Sequence, residues 1–451
     1  MGRLFGTDGV RGIANKELNG ELAYAIGVAA GYVLGKHVKG RKPGFLIGKD
    51  TRISGDMLEQ AISAGLLSMG CDVKFAGVLP TPAIAYLTRM TEATAGVVIS
   101  ASHNPFEYNG IKLFNTDGFK LPDAVEDEIA DAALKQKKIC SHITGNLLGR
   151  YEHIEAEEQS VYVEFLRNNL SQDLSGFSIV VDCANGAAYR VAKRFFKSVG
   201  IKAVFMGVKP DGTNINKGRG STHPEAMQKR VVREGADAGL AFDGDADRLI
   251  CADEKGELID GDKLMYAIAK SLKRRGKLAN NLLTTTVMSN FGLQEALDRE
   301  GIKLRRAAVG DRYVLELMQN TGCVFGGEQS GHLIFLEEHT TGDGIFAAIR
   351  FLEALKRSGL KASELAADVK TYPQVLRNAR VRDENKYSFE KDEKIMAAIA
   401  KTEEDMAGKG RVLIRPSGTE PFVRVMLEGG DKQELDRMTD RLVRLIEDRL
   451  R

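Results

Sequence analysis

Val97-Val98-Ile99-Ser100-Ala101-Ser102-His103-Asn104-Pro105 begins as a β-branched apolar run and ends at a proline. The run predicts a buried strand, while Pro105 halts regular structure and biases Asn104 toward an extended conformation. Ser102 is thereby presented at a strand end, where open α/β sheets carry their reactive groups. A serine hydroxyl is a weak nucleophile, so a catalytic role demands helpers from elsewhere in the chain. Three stretches offer them: Asp243-Gly244-Asp245-Ala246-Asp247-Arg248, Gly327-Glu328-Gln329-Ser330-Gly331-His332, and Arg415-Pro416-Ser417-Gly418-Thr419-Glu420-Pro421.

Outward from the serine segment, strand and helix patterns alternate. Residues 21–36 are apolar at helical spacing, 44–48 and 72–76 read as strands, and Leu58, Ile62 and Leu66 mark one helix face. A polar stretch over 135–159 leads out of this first unit. The plan recurs with a strand at 177–182, a helix at 187–198 and a strand at 238–242. It recurs again with a helix at 263–274, a strand at 282–287, a helix from Phe291, a strand ending before Ala308, and a helix at 344–357. Each unit implies a mostly parallel sheet covered by helices. From Thr371 the pattern changes to strands at 375–381, 411–414 and 422–427, with helices at 391–409 and 434–450. The expected fold class is α/β: three similar mixed α/β domains with helices on both faces of the sheets, plus a C-terminal α+β domain. The expected boundaries are 1–155, 156–254, 255–368 and 369–451.

Bulk properties narrow the function. The 451 residues exceed what a single core accommodates. A net charge of +2 gives no electrostatic case for nucleic acid or an anionic membrane. The five cysteines show no C-x-x-C spacing, which fits a reducing compartment and excludes a thiolate metal site. With no apolar leader after Met1 and no run long enough to span a bilayer, a cytoplasmic, soluble protein is expected.

Asp243, Asp245 and Asp247 are spaced two apart, so a tight glycine-containing loop lets three carboxylates converge. Three such charges repel unless a cation holds them, and an all-oxygen donor set favours Mg²⁺ over Zn²⁺. With Glu254 they also occupy the first, third, fifth and twelfth places of an EF-hand, but Arg248 stands where that loop needs glycine, and residues 238–242 read as strand. Arg415, Ser417, Gly418, Thr419 and nearby Arg424 make a nest suited to gripping a phosphate that is positioned and not transformed. Glu328 and Ser330 suit a sugar's hydroxyls, and His332 either donates a proton or caps a strand. The glycine-rich Phe5-Gly6-Thr7-Asp8-Gly9-Val10-Arg11-Gly12 reads as a loop near a ligand or as a plain turn. Taken alone, Arg11 and Lys112 read as surface cations, although Lys112 follows the serine loop closely enough to return to it across a turn.

In this order and over essentially the whole length, these motifs resemble the α-D-phosphohexomutases. Residues 5–12 and the loop around Ser330 resemble the glucosamine branch in particular. The resemblance implies four domains around a central cleft, each giving one loop, and a possible homodimer. Ser102 would be the phosphoserine and, with Asp243, Asp245 and Asp247, a Mg²⁺ ligand. Arg248 would neighbour the reacting phosphate, and Arg11, Lys112 and His332 would sit around proton transfer. Glu328 and Ser330 would bind the sugar, while Arg415, Ser417, Gly418, Thr419 and Arg424 would hold the distal phosphate. The implied reaction interconverts glucosamine 6-phosphate and glucosamine 1-phosphate through glucosamine 1,6-bisphosphate, which also primes the enzyme, with a small sugar phosphate as ligand and neither nucleic acid nor membrane as partner. A phosphomannomutase or phosphoglucomutase, and a non-catalytic sugar-phosphate-binding protein, are the alternatives. The family more often has cysteine where Arg219 stands, a position with no assigned role.

Overall fold

The computed structural model describes every residue except 1, 2, 7, 136–138, 140–142, 155, 418 and 419, and the side chains of 156–159. The first sheet contains β1 (Val10–Ile13), β2 (Gly44–Lys49), β3 (Asp72–Val78), β4 (Ala95–Ile99), β5 (Tyr108–Asn115) and β6 (Tyr151–His153), ordered β1-β5-β4-β2-β3-β6. Around it lie α1 (Gly20–Gly35), α2 (Gly55–Ser68), α3 (Thr81–Met90) and α4 (Asp123–Leu134). The predicted face of α2 is buried, with Leu58, Ile62 and Leu66 fully enclosed in the core beneath the sheet. α1 and α2 pack closely because their contact is made at glycines: a Cβ on Gly65 would lie 2.3 Å from the Tyr24 carbonyl oxygen.

The second sheet takes β7 (Ser178–Asp182), β8 (Lys202–Met206), β9 (Ala238–Phe242), β10 (Leu249–Asp253) and β11 (Leu258–Ile259), ordered β11-β10-β9-β7-β8, with α5 (Ala156–Asn168), α6 (Ala188–Ser198) and α7 (Glu225–Glu234). The third takes β12 (Leu282–Thr286), β13 (Lys303–Ala307), β14 (Phe325–Gly327) and β15 (Leu333–Phe335), ordered β13-β12-β14-β15. Its segment of the chain carries α8 (Gly261–Arg274), α9 (Phe291–Arg299), α10 (Asp311–Thr321), α11 (Gly344–Ser358) and α12 (Ala362–Ala366). The C-terminal region is an antiparallel sheet of β16 (Gln374–Arg380), β17 (Gly410–Pro416) and β18 (Phe422–Gly429), ordered β16-β18-β17 and covered by α13 (Glu393–Asp405) and α14 (Lys432–Leu450).

Parallel pairing dominates only part of this plan. β2, β3, β4 and β6 are parallel in the first sheet, and β7, β8 and β9 in the second. β5, β10, β15 and β18 run antiparallel to the strands before them, and four of the chemically rich loops are these reversals. Ser102 lies between β4 and β5, the aspartates between β9 and β10, Glu328 and Ser330 between β14 and β15, and the Arg415 segment between β17 and β18. Short reversals fix both ends of a loop in one sheet, so the hydrogen-bond register sets its aim.

By internal contacts the chain forms two compact units, one from Met1–Thr286 with Arg305–Ala367, the other from Val287–Leu304 with Asp368–Arg451. The second unit includes α9, tied to its own later segment by Asn290 Nδ2 donating to the Tyr372 carbonyl (3.0 Å) and by Tyr372 Oη donating to Glu295 (2.8 Å). No helix among the described residues is long and apolar enough to cross a membrane. Cys71, Cys183, Cys251 and Cys323 are free and buried.

Candidate active site

Ser102 is 1 % exposed, and its backbone is left-handed, with φ 50°. A non-glycine residue in that region carries strain and persists only where its surroundings over-determine it. Arg52 supplies that constraint. Fully buried, it donates through Nε to Asp50 (2.8 Å), through Nη1 to the carbonyls of Tyr108 (2.9 Å) and Pro105, and through Nη2 to those of Ser102 (2.9 Å) and Asn104 (2.8 Å). All five guanidinium N–H groups are used, four of them on the backbone of one loop. Asn216 Nδ2 donates to the Ser102 and Asn104 carbonyls from the opposite side (2.8 and 3.0 Å), and Ser100 Oγ accepts the Ser102 N–H (2.9 Å) while donating to Asp50 (2.6 Å). Burial raises the Asp50 carboxyl's pKa despite Arg52 beside it.

The Ser102 hydroxyl donates to Asp243 Oδ2. The two loops touch at backbone level, because a Cβ on Gly244 would lie 2.4 Å from the Ser102 carbonyl oxygen. Asp243, Asp245 and Asp247 are buried, and one ligand atom from each lies within 4.8 Å of the others. Between them Ala246 is left-handed, with φ 58°. Thr81 Oγ1 donates to Asp245 Oδ2 (2.7 Å), and the Arg248 N–H to Asp243 Oδ1 (3.2 Å). Oδ1 of Asp245 and Oδ1 of Asp247 are buried without a hydrogen-bond partner. Burial, with Asp247 and Asp245 adding repulsion, pushes the Asp243 carboxyl well above its ordinary pKa. Three converging carboxylates, unpartnered oxygens and an all-oxygen donor set fit a hard divalent cation.

Lys112, a surface cation by its local sequence, is 1 % exposed. Antiparallel pairing sets it opposite Val98, and its Nζ lies 2.9 Å from Asp245, 3.1 Å from Asp8 and 3.6 Å from Asp247. Burial works against its charge, but those three carboxylates outweigh burial and raise its pKa. Against its own burial, Asp8 is held well below the ordinary range by Lys112, Lys120 and Arg11. Arg11 is half-buried and pairs with Asp8. Lys120 bridges Asp8 to Asp311 (2.6 Å), the first residue of α10.

His332 is buried between Asp247, 3.6 Å from Nδ1, and Asp311, 3.5 Å from Nε2. The Gly342 N–H donates to Nε2 (3.1 Å), so the neutral ring carries its proton on Nδ1, facing Asp247. Burial depresses the imidazolium, but Asp247, Asp311 and Glu328 overcome this and raise its pKa. Arg248 reaches within 3.9 Å of Asp247 and its Nε has no hydrogen-bond partner. Glu328 and Ser330 stand on the turn just before His332, with Ser330 exposed and its Oγ 3.5 Å from Glu328 Oε2.

In the second unit, β17 and β18 set Arg415 opposite Arg424. Burial and Arg424 lower the Arg415 pKa. Among the described residues Arg424 reaches Glu420 (3.3 Å) and Ser417 Oγ (3.5 Å), and its Nε is buried with no partner among them. Two guanidinium groups side by side over a buried Ser417 form an anion grip. Gly418 and Thr419 lie outside the described residues.

Family models described as phosphoglucomutase/phosphomannomutase domains match the chain from end to end: alpha/beta/alpha domain I at residues 2–139, domain II at 160–256, domain III at 260–372 and the C-terminal domain at 376–445. The chain belongs to the phosphoglucomutase/phosphomannomutase family. Among its relatives, a phosphoglucosamine mutase of Acetivibrio thermocellus is 52% identical over 450 residues, covering 100% of both chains. A solved phosphoglucomutase/phosphomannomutase family protein from Burkholderia thailandensis shares the fold with a TM-score of 0.82 at 24% identity, covering 99% of this chain and 98% of that one. The fold also matches an Aspergillus fumigatus N-acetylphosphoglucosamine mutase solved in complex with GlcNAc-6P and magnesium, with a TM-score of 0.64 at 17% identity over 98% and 95% of the chains. This member of the phosphohexomutases is therefore an isomerase of the mutase type.

Within this phosphohexomutase, the structure brings Ser102, the three aspartates, Lys112, Arg248, His332 and Arg11 into one centre, which sequence reading had joined only through resemblance. It also adds residues that reading passed over. Asp8 lay inside the quoted glycine loop and Asp311 opened Gly310-Asp311-Arg312, so both had a local signal. Arg52, Asp50 and Lys120 had none.

Proposed function

We propose that the chain interconverts glucosamine 6-phosphate and glucosamine 1-phosphate through a phosphorylated Ser102 and a glucosamine 1,6-bisphosphate that also primes the enzyme. Such a product feeds the synthesis of UDP-N-acetylglucosamine for the bacterial cell wall. One observation carries the reading: the Ser102 hydroxyl meets Asp243 in a buried centre that also holds Asp245, Asp247 and Lys112. Full-length similarity to a phosphoglucosamine mutase selects the amino sugar.

In the first half-reaction the phosphoryl group leaves Ser102 Oγ for the sugar's 1-hydroxyl, whose proton passes to the centre. The bisphosphate then turns round, its 6-phosphoryl returns to Ser102 Oγ, and the 6-oxygen takes up a proton. Asp243, Asp245, Asp247 and the phosphorylated Ser102 would hold Mg²⁺, which supplies positive charge against the transferring group. Lys112, whose charge the surrounding carboxylates favour, and Arg11 beside Asp8 balance charge. His332, an imidazole between Asp247 and Asp311, is the member of that trio assigned to proton exchange. Arg248 neighbours the reacting phosphate, Glu328 and Ser330 take the sugar hydroxyls, and Arg415, Ser417, Gly418, Thr419 and Arg424 grip the phosphate that is not being transferred. The four domains run over about 1–155, 156–254, 255–368 and 369–451, one loop from each.

The test is ³¹P NMR of the protein with Mg²⁺ and a trace of bisphosphate, offering glucosamine, glucose and mannose 6-phosphates separately. A 1-phosphate forming fastest from the glucosamine ester, and lost in Ser102→Ala, is the expected result. Preference for glucose or mannose would overturn the substrate and keep the mechanism. No isomerisation of any sugar would overturn both.

A further inference from the structure

The C-terminal ends of α8 and α11 border an open cleft of about 460 Å³ whose lining, among the described residues, includes Lys270, Arg274, Arg275, Lys356, Arg357 and Gln172, and no carboxylate; Arg274, Lys356 and Arg357 are exposed. Cations at helix C-termini are ordinary, but each helix end supplies only about half a negative charge, so two ends offset about one of five. Acids outside the lining act on this group, among them Glu353 on Arg275 and Asp173 on Lys356, and both of these also have other partners. Glu353 pairs with Arg350 (2.9 Å) and accepts the Ser171 N–H, and Asp173 accepts from Ser175 (2.8 Å). Two of the cations are fixed by the protein: Lys270 Nζ reaches Tyr266 Oη (3.0 Å), and Arg357 Nη2 donates to the Ser171 carbonyl (3.0 Å) and hydroxyl (3.1 Å). Arg275 responds to this crowding: burial first, then Arg357 and Arg350, lower its pKa.

We infer that this cleft is a binding site for a small polyphosphate, a ligand carrying three or more negative charges on adjacent phosphoryl groups. A concave site with five cations matches several phosphate oxygens at once. No aromatic ring lines it to stack on a nucleobase, and no carboxylate is there to hold a metal, so the free polyphosphate chain is what it recognises. The site is separate from the reaction centre. α11 begins at Gly344, whose N–H donates to Ala246 in the aspartate loop (3.0 Å), and runs to Ser358. At about 1.5 Å per residue the basic end lies about 20 Å away. The mutase reaction makes no use of it.

Calorimetry of the full chain in EDTA at low salt tests this, with inorganic tripolyphosphate and adenosine triphosphate as probes. One site is expected, with the two probes binding within about threefold of each other and orthophosphate at least tenfold weaker. Raising salt from 50 to 200 mM should weaken binding at least tenfold, as for any contact made of several charge pairs. The double variant Arg274→Ala, Lys356→Ala should lose at least tenfold in affinity and keep its mutase turnover, while Arg424→Ala keeps the binding. Unchanged binding in the double variant, or its loss in Arg424→Ala, overturns the site. A strong preference for adenosine triphosphate over tripolyphosphate, or tighter binding of a single-stranded oligonucleotide than of either, overturns the ligand class. Should the double variant fold poorly, Arg274→Gln on its exposed side chain is expected to weaken tripolyphosphate about threefold, and no change there also overturns the proposal.

Discussion

On the proposed function the serine loop and the arginine loop both handle phosphate, yet they are built in opposite ways. Around Ser102 every donor of Arg52 is matched to an acceptor, Asn216 closes the other side, and the serine itself is held in a strained backbone conformation. Around Arg424, among the described residues, the hydrogen bonds are long and one buried N–H has no partner. A group that must be attacked in line has to be aimed before substrate arrives, because small errors in geometry cost much of the proximity advantage. A group that only grips a phosphate can wait for the phosphate to complete its hydrogen bonds. Pre-satisfied and unsatisfied networks thus mark reaction and recognition respectively.

The largest effect tests the reaction side directly. Ser102→Ala removes the proposed phosphoryl carrier and should lower mutase turnover at least 10³-fold, with little change in thermal midpoint, because a small buried hydroxyl is lost from a loop that Arg52 still holds. Detectable phosphate incorporation in this variant would show that another group is the carrier.

Arg52→Lys sharpens the same contrast. Lysine offers three donors on a single point where the loop takes four and Asp50 a fifth from a spread fork, and Asp50 stays buried beside it. Breaking a buried pair and stranding backbone carbonyls should cost about 3–5 kcal/mol in chemical denaturation, together with a fall in kcat. A loss below about 1 kcal/mol would mean the loop holds its shape without the guanidinium.

Arg424→Ala probes the recognition side. Its free guanidinium donors predict a KM raised about tenfold or more with kcat changed far less, and a stability change within about 0.5 kcal/mol. A kcat collapse at unchanged KM would place this residue with the reacting group and erase the distinction.

Much of this was legible beforehand, for identifiable reasons. Periodicity located the helix face at Leu58, Ile62 and Leu66 and the strand before the aspartates, because burial imposes spacing on sequence. The motifs of the candidate site stood out because their residues are adjacent in the chain. Lys112 read as a surface cation because nothing in its neighbourhood reveals that β5 returns antiparallel to β4 and carries it to Asp245. Arg52 was invisible for the same reason: four of its acceptors are backbone carbonyls, which have no sequence signature. The mostly parallel reading came from counting alternating elements, whereas the antiparallel strands sit at the active-site reversals.

The smallest effect concerns a carboxyl beside the centre that is pre-satisfied but in the wrong charge state. Asp343 caps α11, accepting the Phe346 N–H (2.9 Å) and the Tyr162 hydroxyl (2.6 Å). Burial pushes its pKa up to about 6. Because the folded pKa exceeds the unfolded one, between about pH 4 and 6 the native state holds more protons than the unfolded chain, and stability falls as pH rises through that window. Ionisation of this one group then costs about 3 kcal/mol at most at neutral pH. Asparagine keeps the cap and the acceptor for Tyr162 without the charge. Asp343→Asn should therefore match the parent near pH 4 and exceed it by about 1–3 kcal/mol at pH 7 in chemical denaturation. If the variant is the less stable at pH 7, the buried carboxylate is stabilised by its two donors, and a complete hydrogen-bond set has outweighed desolvation here as it does around Arg52.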